Sequence, residues 1–364
     1  MAHLLDRYRQ WRRKTPPASK EDVAWRRDDR NAGNEGRDIA SVIDGPAPPA
    51  LLPDRMGGTT GDSIMEAPVR KLTRPSFDFN LTEHCNLSCC ECDHASPLMA
   101  KKFASLEAFS RDLEALAQVF HSRHLRILGG EPLLHPRLVD FLTEARRIGI
   151  ADSIVLITNG VLLHKAPPEL WALIDQLWIS AYPGIKRKLD DEECGRICEA
   201  HGVRLKITDY QTFQKTVINN RINDPELVNV IFRDCKNAGE WSCHTVYDGR
   251  FYKCSVAPFM SARLALRGVA FDNIPVDGVA LHDNANLYEE VDRCLNGPTP
   301  LAACAYCLGS SGPSVAHHQL NRIGRSRWLE EDHSSDIEAV RLVSLRAKEG
   351  DDQPSASHLR ATKR

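Results

Sequence analysis

From residue 76 onward the apolar and polar positions follow two alternating periods. Phe77-Asp78-Phe79-Asn80-Leu81 alternates with period two and predicts a strand. Leu106, Phe109, Leu113, Leu116 and Val119 recur at helical spacing and predict a helix over 106–119. A short apolar strand at 125–128 stops at Gly129-Gly130, and a helix over 135–148 carries Pro136 in its first turn. The buried strand at 153–157 runs into Thr158-Asn159-Gly160. Beyond it the pattern predicts a helix at 169–177, a strand at 177–180, a helix at 190–200 and a strand at 203–207. Short strands alternating with helices imply a parallel sheet, open or closed into a barrel. In such sheets chemistry gathers where the strands end. A cysteine-rich loop, Gly129-Gly130-Glu131-Pro132 and Thr158-Asn159-Gly160 all fall at those ends.

The flanks have a different texture. Residues 1–75 carry Pro16-Pro17, Pro48-Pro49, Gly57-Gly58 and the mixed-charge run from Trp25 to Arg30. Their periodicity is poor, which predicts a mostly disordered extension with a short helix near 4–13. A docking arm or a cap over the active site is the functional alternative. After 232, Asp248-Gly249 lies between two β-rich arms, a two-residue hairpin signal. A helix is expected over 328–348, followed by a polar tail. The resulting division is an extension at 1–75, a core at 76–232, a small hairpin-containing unit at 233–312, and a helix with tail at 313–364.

Composition narrows the function. The 364 residues are 42% hydrophobic, enough for a sizeable core. With 47 Lys+Arg against 49 Asp+Glu the formal net charge is -2. This argues against a protein that binds nucleic acid or membrane through bulk charge. The start of the chain lacks a signal-peptide core, since Leu4-Leu5 leads directly into Asp6 and Arg7. Twelve cysteines in a chain that needs no disulfide staples point to a reducing, cytoplasmic setting and to metal or redox chemistry.

The cysteines form two groups. Cys85, Cys89 and Cys92 make a C-x3-C-x2-C loop, with Cys90 as an extra, packed thiol. Structural zinc takes four ligands, and His84 or His94 would have to supply the fourth. An iron–sulfur cluster held by three thiolates instead leaves one iron open. In the second group, counting outward from Asp248-Gly249 opposes Cys243 to Cys254, at Cβ separations of about 4.5–5.5 Å. Cys304-x2-Cys307 is a two-ligand clip, and Cys235 is an alternative to either hairpin cysteine. Four thiolates of this kind suit an auxiliary iron–sulfur cluster or a tetrahedral zinc site. Cys194 and Cys198, one turn apart on a helix, read as packing, and Cys294 has no motif context. A non-catalytic, metal-stabilised binding module is the competing reading of both groups.

The three-cysteine loop after the first strand, with Gly129-Gly130-Glu131-Pro132 after the second, resembles the radical SAM superfamily over 76–232. The resemblance implies a partial (β/α)6 barrel with a small C-terminal β-hairpin-containing cluster-binding domain. It implies a [4Fe-4S] cluster on Cys85, Cys89 and Cys92 whose open iron binds S-adenosylmethionine. Reductive cleavage then gives a 5′-deoxyadenosyl radical that abstracts a substrate hydrogen. Gly129, Gly130 and Glu131 match the segment near the methionyl amino group; Thr158, Asn159 and Ser180 match positions near the carboxylate or ribose. The residue before the third cysteine is usually aromatic in the family and is Glu91 here. Cys243, Cys254, Cys304 and Cys307, with Cys235 as the alternative, resemble a twitch or SPASM-like auxiliary [4Fe-4S] site, in the shorter single-cluster form. Such a protein would take electrons from a donor such as flavodoxin or ferredoxin. The expected reaction is oxidation or epimerisation of a small sugar, alcohol or aminocyclitol. Modification of a ribosomally made peptide is the alternative, although 1–75 lack the pattern of a compact leader-binding domain.

Overall fold

The computed structural model describes residues 71–351. The extension predicted at 1–75 therefore lies almost wholly outside the described residues, as does the end of the polar tail. Strands β1 (Leu72–Asn80), β2 (Phe120–Leu128), β3 (Ala151–Thr158), β4 (Gln176–Ala181) and β5 (Arg204–Asp209) alternate with helices α1 (Leu106–Ala117), α2 (Leu138–Ile148), α3 (Leu170–Leu173) and α4 (Asp191–His201). Their boundaries follow local chemistry. Ser105 caps α1 by accepting from the Ala108 amide. A capping box between Asp190 and Glu193 opens α4. Gly149 ends α2 at φ 66°, a left-handed turn that a side chain would disfavour.

β1 to β5 pair in parallel, in register from Phe77 opposite Leu125 to Ile179 opposite Ile207. All five loops that follow these strands thus emerge at one edge of the sheet. The sixth parallel strand differs from the sequence expectation. Beyond α5 (Pro225–Arg233), the first hairpin arm, β7 (Thr245–Tyr247), pairs in parallel with β1, opposing Asp78 to Thr245. Its partner β8 (Arg250–Tyr252) and then β9 (Gly278–Ala280) continue the sheet antiparallel. The order is β5-β4-β3-β2-β1-β7-β8-β9, eight strands, and no β5–β9 pairing closes it among the described residues. This open α/β sheet is consistent with the expected partial (β/α)6 barrel, and its sixth parallel strand comes from the hairpin. The hairpin itself has the expected register, Tyr247 opposite Arg250.

One core lies under this sheet. Phe79 meets Phe109 edge-on at 4.6 Å, and Phe109 meets Phe141 at 5.1 Å. Leu113, Phe120, Leu125, Ile127 and Leu156 complete its centre. Cys194 and Cys198 are buried in this core, as packing residues would be. A second core forms around Tyr252, Val256, Met260 and Tyr306, using α6 (Ala257–Ala265). A third joins Ile218, Leu227 and Ile231 to Leu308 and Val340.

The junction of β1, β2 and β7 holds a buried ion pair. Asp78 and Arg126 are register partners, and the Arg126 guanidinium donates to the Asp78 carboxylate. It also donates to the carbonyls of Trp241 (3.2 Å) and Ser242 (3.0 Å), just before β7. Asn80 donates to the Thr245 hydroxyl across the same junction.

The single helix expected over 328–348 is broken in two. Asn219 donates its side-chain amide to the carbonyls of Trp328, Leu329 and Glu331, which closes α7 (Arg322–Glu330). The Asp332 carboxylate then accepts from the Ser334 amide at the start of α8 (Ser334–Asp351). Two very short strands, β6 (Thr212–Gln214) and β10 (Ser314–Ala316), pair antiparallel and return the C-terminal part to the loops after β4 and β5.

Burial makes several histidines resist protonation. It pushes His244 down to about 3, and burial with the nearby Arg123, Arg126 and Arg204 charges pushes His124 down to about 4. An unfolded histidine titrates near 6.5. At these histidines the folded chain binds fewer protons, so their contribution is complete above about pH 6.5 and is lost as pH falls toward 4, while the raised carboxyls of Glu131, Glu91 and Asp93 act in the opposite sense. His244→Leu is expected to make the urea midpoint fall less, or rise more, than wild type between pH 7 and pH 5. Identical pH profiles in the two proteins would contradict the assignment.

Candidate functional site

The loop after β1 carries Cys85, Cys89 and Cys92. It is held against the loop after β2 by close backbone approach. Gly130 donates its N–H to the Thr82 carbonyl at 2.7 Å. A Cβ on Gly130 would lie 2.0 Å from the His84 carbonyl oxygen and 2.9 Å from the Cys85 nitrogen, so only glycine fits. Gly129 has φ 138°, and its Cβ would meet the Thr82 carbonyl at 2.5 Å. The Glu131 side chain is wholly buried. Its carboxylate accepts from the Thr158 hydroxyl at 2.6 Å, the Asn159 amide at 2.9 Å and the Leu133 amide at 3.1 Å. These donors are neutral, and burial pushes the Glu131 carboxyl up to about 7. Glu131, Thr158 and Asn159 are thus one hydrogen-bonded unit that ties the loop after β2 to the loop after β3. Ser180 belongs to the next strand along and bonds Tyr182.

The three thiols lie in electrostatic reach, with Cys92 acting on Cys85 and Cys89 and Cys89 on Cys85. Burial and like charge push Cys85 up to about 12 and Cys89 up to about 11; burial chiefly raises Cys92. Each sulfur also receives hydrogen-bond donors. Cys85 accepts from the Leu87 amide at 3.4 Å and the Asn159 side-chain amide at 3.6 Å. Cys89 accepts from the Gln319 side chain at 3.2 Å, and the Ser96 and His94 amides face Cys92. Cys90 turns instead toward Glu91. Glu91 sits in the left-handed region at φ 56° and is buried beside Arg263, Glu331 and Lys215.

In the second group Cys235, Cys254, Cys304 and Cys307 lie in mutual electrostatic reach. Burial is the main cause that raises Cys254, Cys304 and Cys307; Cys235 and Cys307 add to it at Cys254, Cys254 and Cys235 at Cys304, and Cys304 and Cys235 at Cys307. Gly309 packs so closely here that its Cβ would sit 3.1 Å from the Cys235 sulfur. Cys243 is only a minor neighbour of Cys254; its own nearest charges are Arg126 and Asp78. Cys294 lies apart, with Lys253 as its principal charged neighbour.

A third group was missed by sequence reasoning. Glu331, His333 and Asp336 offer ligand atoms within 4.8 Å of one another, the one such trio among the described residues. The Lys215 ammonium already bridges its two carboxylates, at 2.5 Å and 3.1 Å. The aromatic residues near the cysteine loop were also missed. Tyr182 stacks on His317 at 4.8 Å, with Phe213 edge-on to both. Cys89 and Cys92 both act on the Tyr182 phenol, while Cys243 and Arg126 act on Tyr210. Tyr182 and Tyr210 each follow the last residue of a strand, and that repeated position was the available signal.

Residues 79–201 match the family model of the radical SAM superfamily. Over these residues the chain carries a radical SAM domain. Among curated proteins it is similar to a GTP 3',8-cyclase of Clostridium perfringens, 33% identical over 182 residues, which are 43% of this chain and 51% of that protein. A GTP 3',8-cyclase of Heliobacterium modesticaldum is 28% identical over 167 residues, 41% of this chain and 48% of its own. The chain thus spans about half the length of these relatives. Among solved structures, BtrN in complex with AdoMet and 2-DOIA aligns over 67% of this chain and 96% of its own, at 15% identity and TM-score 0.43. The anSMEcpe structure with bound AdoMet and Cp18Cys peptide aligns over 74% and 99%, at 12% identity and TM-score 0.37. No helix of the described residues is long and apolar enough to cross a membrane.

The Gly130 contact yields a prediction. Gly130→Ala is expected to displace the backbone at His84–Cys85 and to abolish iron retention after anaerobic reconstitution, read by iron assay. Gly195→Ala, on α4 with nothing within 4 Å of the new Cβ, is the control. It should retain iron and gain roughly 0.5–1 kcal/mol of stability.

Proposed function

We propose that the protein is a radical SAM enzyme with one catalytic and one auxiliary [4Fe-4S] cluster. The observation that carries this reading is the three-thiol loop of Cys85, Cys89 and Cys92, donor-laden and pinned against Gly130 at the ends of β1 and β2. When bound, the cluster and S-adenosylmethionine supply one-electron cleavage of the sulfonium and a 5′-deoxyadenosyl radical that takes a hydrogen atom from substrate. The protein's own part is placement. Gly129 and Gly130 let the loop after β2 press directly against the backbone of the cysteine loop. Glu131 braces Thr158 and Asn159, and Asn159 in turn donates to the Cys85 sulfur. Ser180 stands at the end of the neighbouring strand. The half-buried aromatic group of Tyr182 and Phe213 with the buried His317 stands beside Cys89 and Cys92 and would limit water there.

Thiol spacing favours iron–sulfur clusters over zinc at both groups. A zinc ion about 2.3 Å from each sulfur would draw tetrahedral thiolates to roughly 3.8 Å of one another. No three thiols here come within even 4.8 Å, whereas a polynuclear cluster puts its ligands on separate irons. For the auxiliary cluster we assign Cys235, Cys254, Cys304 and Cys307, with Cys243 left to the Arg126 and Asp78 junction.

The substrate is a C–H donor, either a peptide or a small sugar, alcohol or aminocyclitol. The names of similar proteins supply test compounds of both classes: SuiB of Streptococcus suis bound to a precursor peptide, anSMEcpe with a peptide, BtrN with 2-DOIA. Transfer of deuterium from a labelled candidate of either class into 5′-deoxyadenosine would identify the one used.

Two outcomes test the assignment. Reduced, reconstituted protein should release 5′-deoxyadenosine from S-adenosylmethionine, and Cys85→Ala, Cys89→Ala or Cys92→Ala should reduce release at least a hundredfold. Wild-type release in any of the three would refute the catalytic cluster. For the auxiliary set, Cys235→Ala and Cys304→Ala should each lose close to half the bound iron, while Cys243→Ala keeps it. Iron loss in Cys243→Ala with retention in Cys235→Ala would reverse the ligand choice.

A further inference from the structure

The segment that follows β10 reaches back to the cysteine loop. The Cys90 amide donates to the His318 carbonyl at 2.9 Å, and the Leu320 amide donates to the Ser88 carbonyl at 2.7 Å. Cys89 and Gln319 thereby face each other as one rung of an antiparallel bridge. The Gln319 side chain lies along that rung. Its Oε1 accepts from the Ser88 amide at 2.7 Å, and its Nε2 donates to the Cys89 sulfur at 3.2 Å. The Ser88 bond fixes which end of the amide is oxygen, so the nitrogen is the atom that faces the sulfur.

The segment is itself anchored away from the loop. β10 pairs with β6, and the His317 amide donates to the Gln211 carbonyl at 2.9 Å. Farther on, Lys215 bridges Glu331 and Asp336. The donor aimed at Cys89 comes from the exposed Gln319, whose segment is held by β10 on one side and by its bridge to Cys89.

We propose that Gln319 is a positioning residue for the catalytic cluster, setting its reduction potential through the Cys89 sulfur. This rests on the reading of Cys89 as a cluster ligand. A hydrogen bond to a ligand sulfur favours the more negative, reduced state of a cluster and raises its potential. Cys85 and Cys92 take their donors from within the loop or from the loop after β3. Cys89 takes its donor from a segment some 230 residues later, so this bond couples the C-terminal part to the electronics of the site.

The test compares Gln319→Met, which removes the side-chain bonds to Ser88, Cys89 and His317 at similar length, with Gln319→Glu, which keeps an acceptor for the Ser88 amide but has no donor for sulfur. Iron content is measured first, then the midpoint potential by redox titration followed by electron paramagnetic resonance. Both variants are expected to titrate at a more negative potential than wild type, Gln319→Glu the more so because its charge faces the thiolate. Midpoints equal to wild type in both would overturn the proposal. Loss of cluster iron from both, with unchanged thermal unfolding, would support the positioning role through the loop itself. A wild-type protein whose iron content and spectrum survive Cys89→Ala would instead defeat the ligand assignment on which the proposal stands.

Discussion

A buried carboxylate with neutral partners holds the candidate site together. Glu131 has no access to water, and the Thr158 hydroxyl with two backbone amides replaces its hydration. Those donors belong to two different loops, so the loops cannot part without stranding a desolvated acid. Leaving such a group unsatisfied costs on the order of 1–3 kcal/mol, more when it is charged. Gly130 extends the constraint to the cysteine loop by bringing two backbones into contact where no side chain fits. Asn159 returns it to Cys85. The ends of three adjacent parallel strands therefore behave as one piece, and the thiols inherit that rigidity.

Much of this was legible in the chain. The parallel strands and their helices follow apolar periodicity, and the cysteine loop and the paired glycines announce themselves by spacing. The role of Glu131 was only half legible. A carboxylate after two glycines reads as a partner for an ammonium, but its first obligation is to Thr158 and Asn159. The hairpin register was read correctly from Asp248-Gly249, yet it could not reveal that β7 would pair with β1. Strand partnership at that distance is decided by the Asp78–Arg126 pair and the carbonyls of Trp241 and Ser242. A three-residue strand such as β6 or β10 offers too few positions for any period to emerge. The break at 331–333 depends on Asn219, more than 100 residues earlier, and so leaves no local trace.

The hairpin's place in the sheet changes how the two thiol groups relate. β7 lies directly beside β1, the strand that delivers the cysteine loop. Cys243 just precedes β7 and faces the Arg126 junction, while Cys254 follows β8 and turns toward Cys235 and Cys307. Opposition across a hairpin therefore did not make the two cysteines equivalent. One is absorbed by the sheet's buried ion pair and the other joins the smaller core around Tyr252 and Tyr306.

The rung formed by Cys89 and Gln319 also bears on how the molecule is built. During synthesis the cysteine loop emerges long before its glutamine partner exists. Until the last strand is laid down, the sulfurs answer only to their immediate neighbours and to β2 and β3. The mature geometry of the loop is thus a property of the finished polypeptide, and a nascent chain would present the same three sulfurs to iron in a looser grip.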